Sequence, residues 1–273
     1  MVIIAGVLAL LVGPLPAFAS DQSGGGADRS GGAERSGRAE PDPLEGLSGA
    51  PTAPSVAEVE QYVTFVVNDL QKNWAAWFRA QGIAKEPDVV VHLVGPGESY
   101  RTTCVDRTGT SPVVTSEYQN LFYCSTDTGR AADGTDVVGS MVLPVVTLQR
   151  MWSGDILGFR SSVPGDFAAA VSVAHEFGHS VVDERGTALG GSRPTGQNLE
   201  LIADCMAGVW MAWVQREGLL EAGDVEEAIA TLEALSGTTA TSGWNRSGGD
   251  RVQALNAGFS GGGPEACIGA YWK

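Results

Sequence analysis

The clearest periodic pattern starts near residue 55, where apolar side chains begin to recur every three or four positions. Ser55 and Glu58 have the spacing of a capping box at the start of this pattern, and Gly82 follows its end. The apolar positions are Val56, Val59, Val63, Val66, Val67, Leu70, Trp74, Trp77 and Phe78. The pattern predicts one long amphipathic helix from Val56 to Gly82. Its three aromatic residues have the spacing of core residues, so we interpret them as core rather than as a ligand site.

Short apolar runs with the composition of buried strands come next. They lie at 89–94, at 121–123 and at 137–143, where Pro144 stops the last run. Each run predicts a β-strand. His92 lies in the first run, and because a histidine in a strand is more often a core residue than a ligand, we interpret it as structural.

Beyond residue 165 the apolar period becomes helical. The predicted helices are 166–185, stopped by Gly186; 198–217, stopped by Gly218; 225–235, capped by Asp224 and Glu227; and a short amphipathic piece at 251–259. Strands first and helices later predict an α+β fold.

The first 19 residues have the pattern of a secretory signal peptide. Residues 1–20 contain no charged side chain, and a small-x-small triplet at 17–19 predicts cleavage after Ala19. The run is short against the roughly 20 residues that span a bilayer. A basic segment before the apolar run is missing, which leaves two alternatives: an uncleaved membrane anchor, or a start site misplaced downstream.

Residues 20–55 are rich in Gly, Ser and Pro, and their only large aliphatic side chains are Leu44 and Leu47. Such a segment cannot bury enough apolar surface to offset its ordering entropy. We therefore predict a disordered linker at 20–55 and one folded domain at 56–273.

The composition is that of an acidic globular protein. The chain has 273 residues and a net charge of −15, with 17 Lys and Arg against 32 Asp and Glu. Nucleic-acid binding requires clustered basic side chains, so this class of partner is not expected.

The four cysteines predict two disulfides, because the chain is expected to be exported to an oxidising compartment. Short closed loops are entropically favoured, which favours the pairs Cys104–Cys124 and Cys205–Cys267.

The candidate chemistry lies in the helix predicted at 166–185. His175 and His179 are four residues apart and share one helix face, while Glu176 is rotated by about 100°. Two imidazoles suit Zn²⁺, and a carboxylate outside the ligand set can act as a general base.

Two carboxylates on the next helix extend this pattern. Glu200 and Asp204 are also four residues apart, so Glu200 can be the third ligand and Asp204 can accept the outward N–H of His175. Non-haem iron is the alternative metal, but it gives no role to Glu176.

These residues resemble the neutral zinc metallopeptidase family of bacteria. The resemblance rests on the run His-Glu-Phe-Gly-His at 175–179 and the run Glu-Leu-Ile-Ala-Asp-Cys at 200–205, and weaker similarity extends from about residue 89 to 267. It implies a zincin-like α+β fold, in which a small mixed sheet packs on the active-site helix and the C-terminal part is helical. It also implies that His175, His179 and Glu200 bind zinc, and that Glu176 is the catalytic base.

Departures from the family pattern leave two hypotheses. The family often has a Thr-His-Gly run where this chain has Arg246 to Gly249. The first hypothesis is a secreted or extracytoplasmic endopeptidase that cleaves a peptide or protein substrate, with Glu176 as base for a zinc-activated water. The alternative is a zinc-stabilised, catalytically silent binding module on the cell surface. A membrane partner is expected only if the N-terminal segment stays uncleaved.

The endopeptidase hypothesis also requires an oxyanion donor and a substrate-binding strand. Arg251 is the first candidate for the donor, and Asn245, Tyr118 and His92 are the others. The strand at 137–143 is predicted to be the exposed edge that binds an extended substrate.

Overall fold

The computed structural model describes residues 53–84, 89–106, 109–130, 134, 136–238 and 248–273. The predicted signal peptide and residues 20–52 of the predicted linker lie outside these residues, as does Asn245. None of the described helices is long and apolar enough to span a membrane.

The described elements follow the predicted α+β order, with a mainly stranded first half and a helical second half. They are α1 (Val56–Ala80), β1 (Val90–Val94), β2 (Ser99–Arg101), β3 (Val113–Thr115), β4 (Phe122–Arg130), β5 (Asp136–Pro144), α2 (Val145–Trp152), β6 (Asp155–Ile156), β7 (Phe159–Arg160), α3 (Phe167–Leu189), α4 (Gln197–Arg216), α5 (Asp224–Thr238), α6 (Gly248–Ala257), a π-helical segment (Gly258–Gly262) and α7 (Gly263–Tyr271).

The first helix begins as the sequence predicts. The Ser55 hydroxyl accepts the backbone N–H of Glu58 at 3.3 Å, and the Glu58 carboxylate accepts the backbone N–H of Ser55 at 2.7 Å. Trp74 and Phe78 are buried, and Trp77 packs partly buried against the same core. The aromatic stripe is therefore core.

The main sheet has three strands in the order β1-β5-β4. Strand β5 pairs parallel with β1 and antiparallel with β4, so the sheet is mixed. The predicted edge role of 137–143 is wrong, because β5 is paired on both sides and its residues 141–143 are fully buried. The free edge that faces the candidate site belongs to β4, of which the pattern at 121–123 predicted only the beginning.

Helix α3 is buried along most of its length and forms the centre of the core. The predicted stop at Gly186 is wrong, since the helix continues to Leu189 and ends at Gly190, which has φ 64°. Gly186 instead makes room for Arg193, because a Cβ there would lie 2.7 Å from the Arg193 Cγ. Gly178 allows α4 to approach α3 closely, since its Cβ would lie 3.0 Å from the Ala203 carbonyl oxygen.

Both predicted disulfides, Cys104–Cys124 and Cys205–Cys267, are present. The second one links α4 to α7.

The carboxylates of Asp224 and Glu227 do not form the predicted capping pair of α5. Asp224 accepts the backbone N–H of Glu221 at 2.7 Å, while Glu227 accepts that of Phe167 at 3.0 Å and thereby caps α3.

Candidate metal centre

Helix α3 presents two imidazoles on one face, as their spacing predicts. The rings of His175 and His179 are 4.7 Å apart between centroids and nearly perpendicular. Both line a cleft of about 820 Å³. Their Nε2 atoms point toward the same carboxylate, that of Glu200.

Glu200 comes from the first turn of α4 and completes a group of three ligand atoms. One carboxylate oxygen lies 3.6 Å from the His175 Nε2 and the other 3.9 Å from the His179 Nε2. All three ligand atoms lie within 4.8 Å of one another. Tetrahedral zinc with bonds of about 2.0–2.1 Å separates its ligands by roughly 3.3 Å, so this donor set fits a zinc ion after small side-chain movements.

A buried carboxylate behind the ligands fixes one of the imidazoles. The Asp204 Oδ1 lies 2.7 Å from the His175 Nδ1, and Asp204 is 0% exposed. This contact places the His175 proton on Nδ1 and leaves Nε2 for the metal. The Nδ1 of His179 is buried and has no hydrogen-bond partner within the described residues, so no contact at this nitrogen orients the ring.

Arg251 forms a two-point contact with the same carboxylate. Its Nε donates to the Asp204 Oδ2 at 2.8 Å and its Nη2 to Oδ1 at 2.7 Å. Burial raises the pKa of Asp204, but Arg251 and His175 outweigh this effect and keep the pKa below its ordinary value. Arg251 thus neutralises Asp204 and also lines the cleft, where it was predicted as an oxyanion donor.

The candidate base Glu176 is held by a backbone group of the edge strand. Its Oε2 accepts the N–H of Tyr123, the second residue of β4, at 2.9 Å. Burial raises the pKa of Glu176 to about 7, despite the opposing charge of His175. A carboxylate with such a pKa can both accept and return a proton near neutrality.

The pKa values of the two imidazoles shift in opposite directions, although burial by itself lowers both. Burial followed by the charge of His175 lowers the pKa of His179 to about 4. Burial would lower the pKa of His175 as well, but Asp204 and then Glu200 raise it to about 10. The acidic groups around His175 therefore create a strong preference for positive charge at the centre, which a cation can satisfy.

Polar side chains that the sequence did not single out form another part of the cleft lining. The Tyr123 hydroxyl donates to the Asp183 carboxylate at 3.0 Å, and Arg193 forms an ion pair with Asp183. Arg193 also donates to the Thr187 hydroxyl at 2.6 Å. The only sequence signal was indirect: Asp183 lies four residues after His179, on the same face of α3.

Two other predicted donors lie away from the cleft lining. His92 stacks on the ring of Tyr100 at 3.8 Å between centroids, in a separate shallow depression. Tyr118 packs with Phe122 and the small apolar cluster around Val142. Neither lines the cleft that contains the metal centre.

A zinc-binding measurement tests the ligand set directly. We expect the wild-type protein to bind one Zn²⁺ per chain and Glu200→Ala to lose most of this affinity, since one of three protein ligands is removed. Chelation should lower the melting temperature of the wild type and leave that of Glu200→Ala nearly unchanged, because a ligand stabilises only a state that binds it. Equal zinc content in the two proteins would exclude Glu200 as a ligand.

Comparison with known proteins gives a match over the part of the chain that contains the candidate metal centre. Residues 155–267 match the family described as "putative neutral zinc metallopeptidase". The resemblance to this family is thus confirmed over residues 155–267. The matched segment contains the three candidate ligands as well as Glu176, Asp204 and Arg251, but it excludes Tyr123 and the main sheet.

The curated relatives match a shorter stretch. "Uncharacterized protein YpfJ" of Escherichia coli strain K12, and the protein of the same name from strain O6:H1, are each 37% identical over 83 residues. This alignment covers 26% of the present chain and 29% of each relative. No solved structure matches the chain.

Proposed function

We propose that this protein is an extracytoplasmic zinc-dependent endopeptidase. The observation that carries the proposal is the position of Glu176, a half-buried carboxylate beside the ligand set but outside it, oriented by the N–H of Tyr123. A site that only binds metal has no need for such a group. The match to a zinc metallopeptidase family agrees with this role.

The ligand set would hold zinc through the Nε2 atoms of His175 and His179 and a carboxylate oxygen of Glu200. A zinc ion held there supplies a Lewis acid that polarises a peptide carbonyl and lowers the pKa of water. Glu176 removes a proton from the attacking water and holds it on a carboxylate oxygen. It then delivers this proton to the amine nitrogen of the leaving peptide.

Arg251 is the proposed source of positive charge for the oxyanion. Among the described residues that line the cleft, the arginines are Arg251 and Arg193, and no lysine is present. Asp204 and burial hold the Arg251 guanidinium in one position. A fixed, water-excluded charge stabilises developing negative charge more strongly than a mobile one.

The free edge of β4 is the proposed binding strand for an extended substrate. Phe122, Tyr123 and Ser125 of this strand line the cleft, and the Tyr123 N–H points away from the partner strand β5 toward Glu176. A peptide that adds to this edge would bring its backbone beside the candidate base. The role first predicted for 137–143 is therefore assigned to β4.

Two disulfides support action in an oxidising compartment, together with the predicted signal segment at 1–19. A peptide or protein is the proposed substrate, and the net charge of −15 disfavours nucleic acid.

Exposure of a diverse peptide mixture to the zinc-loaded protein, read by mass spectrometry, tests the proposal. We expect new internal cleavages that disappear when zinc is removed by a chelator and return when zinc is restored. Zinc-loaded protein that leaves every peptide intact would contradict the endopeptidase and favour a zinc-stabilised binding module.

A further inference from the structure

The hairpin β6–β7 contains a leucine in a backbone conformation that leucine rarely adopts. Ile156 pairs with Phe159, so Leu157 and Gly158 form a two-residue turn with φ values of 51° and 90°. Turns with two positive φ values favour Asn, Asp and Gly. Leu157 is the one non-glycine residue with positive φ in the described part of the chain.

The side chain of this leucine lines the cleft of the metal centre. The hairpin packs against α2 and α5, and these helices supply Met151, Leu232 and Leu235 to the same lining. Leu121, which precedes β4, also contributes. Leu121, Met151 and Leu232 are buried, while Leu157 and Leu235 are half-buried at the rim.

These five side chains, which we call the apolar wall, differ chemically from the part of the lining built by Asp183, Arg193 and Thr195. The apolar wall contains no charged group, although it lines the same cleft as the residues of the metal centre. Its open apolar surface comes from the half-buried Leu157 and Leu235, since the other three side chains are buried. Open apolar surface beside a reactive site is typical of a substrate-binding pocket.

We propose that the apolar wall is a specificity subsite for a large apolar side chain of the peptide substrate, and that Leu157 is its specificity-determining residue. This inference rests on the proposed peptidase function. In this proposal the turn retains a leucine in an unfavourable conformation because its side chain contributes to substrate binding and not to the stability of the hairpin. Function and stability should therefore respond to this residue in opposite directions.

Leu157→Asn tests the proposal, because asparagine suits the turn and removes the apolar side chain. Phe159→Thr is the matched control, since Phe159 lies in the same hairpin, is 40% exposed and is absent from the cleft lining. Both changes are made in zinc-loaded Glu176→Gln protein, so that peptides bind without turnover. The probes are two fluorescein-labelled Ser/Ala-rich peptides that differ only in one central residue, Phe or Ala.

We expect the parent protein and Phe159→Thr to prefer the Phe peptide, and Leu157→Asn to bind it about 10-fold more weakly. Affinity for the Ala peptide should not change. The melting temperature of Leu157→Asn should equal or exceed that of the parent, by up to about 4 °C. Leu157→Gly, which also suits the turn, should give the same loss of preference.

Two results would overturn the subsite: a parent protein that does not distinguish the peptides, or a Leu157→Asn protein that keeps the preference. A fall in melting temperature with unchanged preference would assign Leu157 a structural role only. Failure of the peptidase proposal would look different, because unmodified zinc-loaded protein would then cleave no peptide while the binding preference persisted.

Discussion

Glu176→Gln should retain zinc and lose peptide hydrolysis by roughly 10³-fold. Glutamine has the same shape, and its amide oxygen can still accept the Tyr123 N–H that holds the wild-type carboxylate at 2.9 Å. The variant therefore preserves the geometry of the site. It removes only the ability to take a proton from water and to return it to the leaving amine.

The measurement combines kcat/KM on one cleaved peptide with the zinc content of the same sample. Glu200→Ala is the informative control, because it should lose zinc and activity together, whereas Glu176→Gln should lose activity alone. The proposed mechanism is wrong if zinc-loaded Glu176→Gln turns over peptide at a rate near that of the wild type.

The candidate metal ligands could be predicted from the sequence because their geometry is local to two helices. A spacing of four residues places His175 beside His179, and Glu200 beside Asp204, whatever the rest of the fold does. The candidate ligand set then needs only one tertiary event, the packing of α4 on α3. Gly178 permits this packing, because it has no side chain where the Ala203 backbone of α4 lies close to α3.

The partner of Glu176 could not be predicted in this way. The contact comes from the backbone N–H of Tyr123, and a backbone group has no sequence signature. It also depends on strand order: β5 lies between β1 and β4, so β4 is one of the two edge strands of this sheet among the described residues. Strand order is set by long-range pairing, and the local apolar pattern at 137–143 contains no information about it.

The role of Arg251 shows a further limit of sequence reasoning. An arginine near the end of a zinc-site sequence was predicted as an oxyanion donor, and it does line the cleft. Its bidentate contact with Asp204 was not predicted, because the two residues lie 47 positions apart and meet only when α6 packs on α4. Asp204 therefore contacts both the candidate ligand His175 and the positively charged guanidinium of Arg251.

Asp204→Asn should therefore destabilise the fold by about 3–5 kcal/mol and weaken zinc binding by roughly 10–100-fold. The amide removes the negative charge that faces Arg251, which is 6% exposed and would stay charged without a counter-ion. It also replaces one of two acceptor oxygens by a donor. An amide nitrogen at the Oδ2 position leaves the Arg251 Nε without its acceptor, and one at the Oδ1 position leaves both the His175 Nδ1 and the Arg251 Nη2 without theirs. Chemical denaturation measures the first effect, and competition with a zinc chelator measures the second.

A second substitution separates the two consequences of losing Asp204. In Asp204→Asn/Arg251→Met the unpaired buried charge is gone, so we expect part of the lost stability to return. Zinc affinity should stay low, because His175 still lacks its carboxylate. Recovery of both quantities together would show that Asp204 acts on the metal only through the fold. Unchanged stability in the single variant would mean that the Asp204–Arg251 pair contributes nothing to the core.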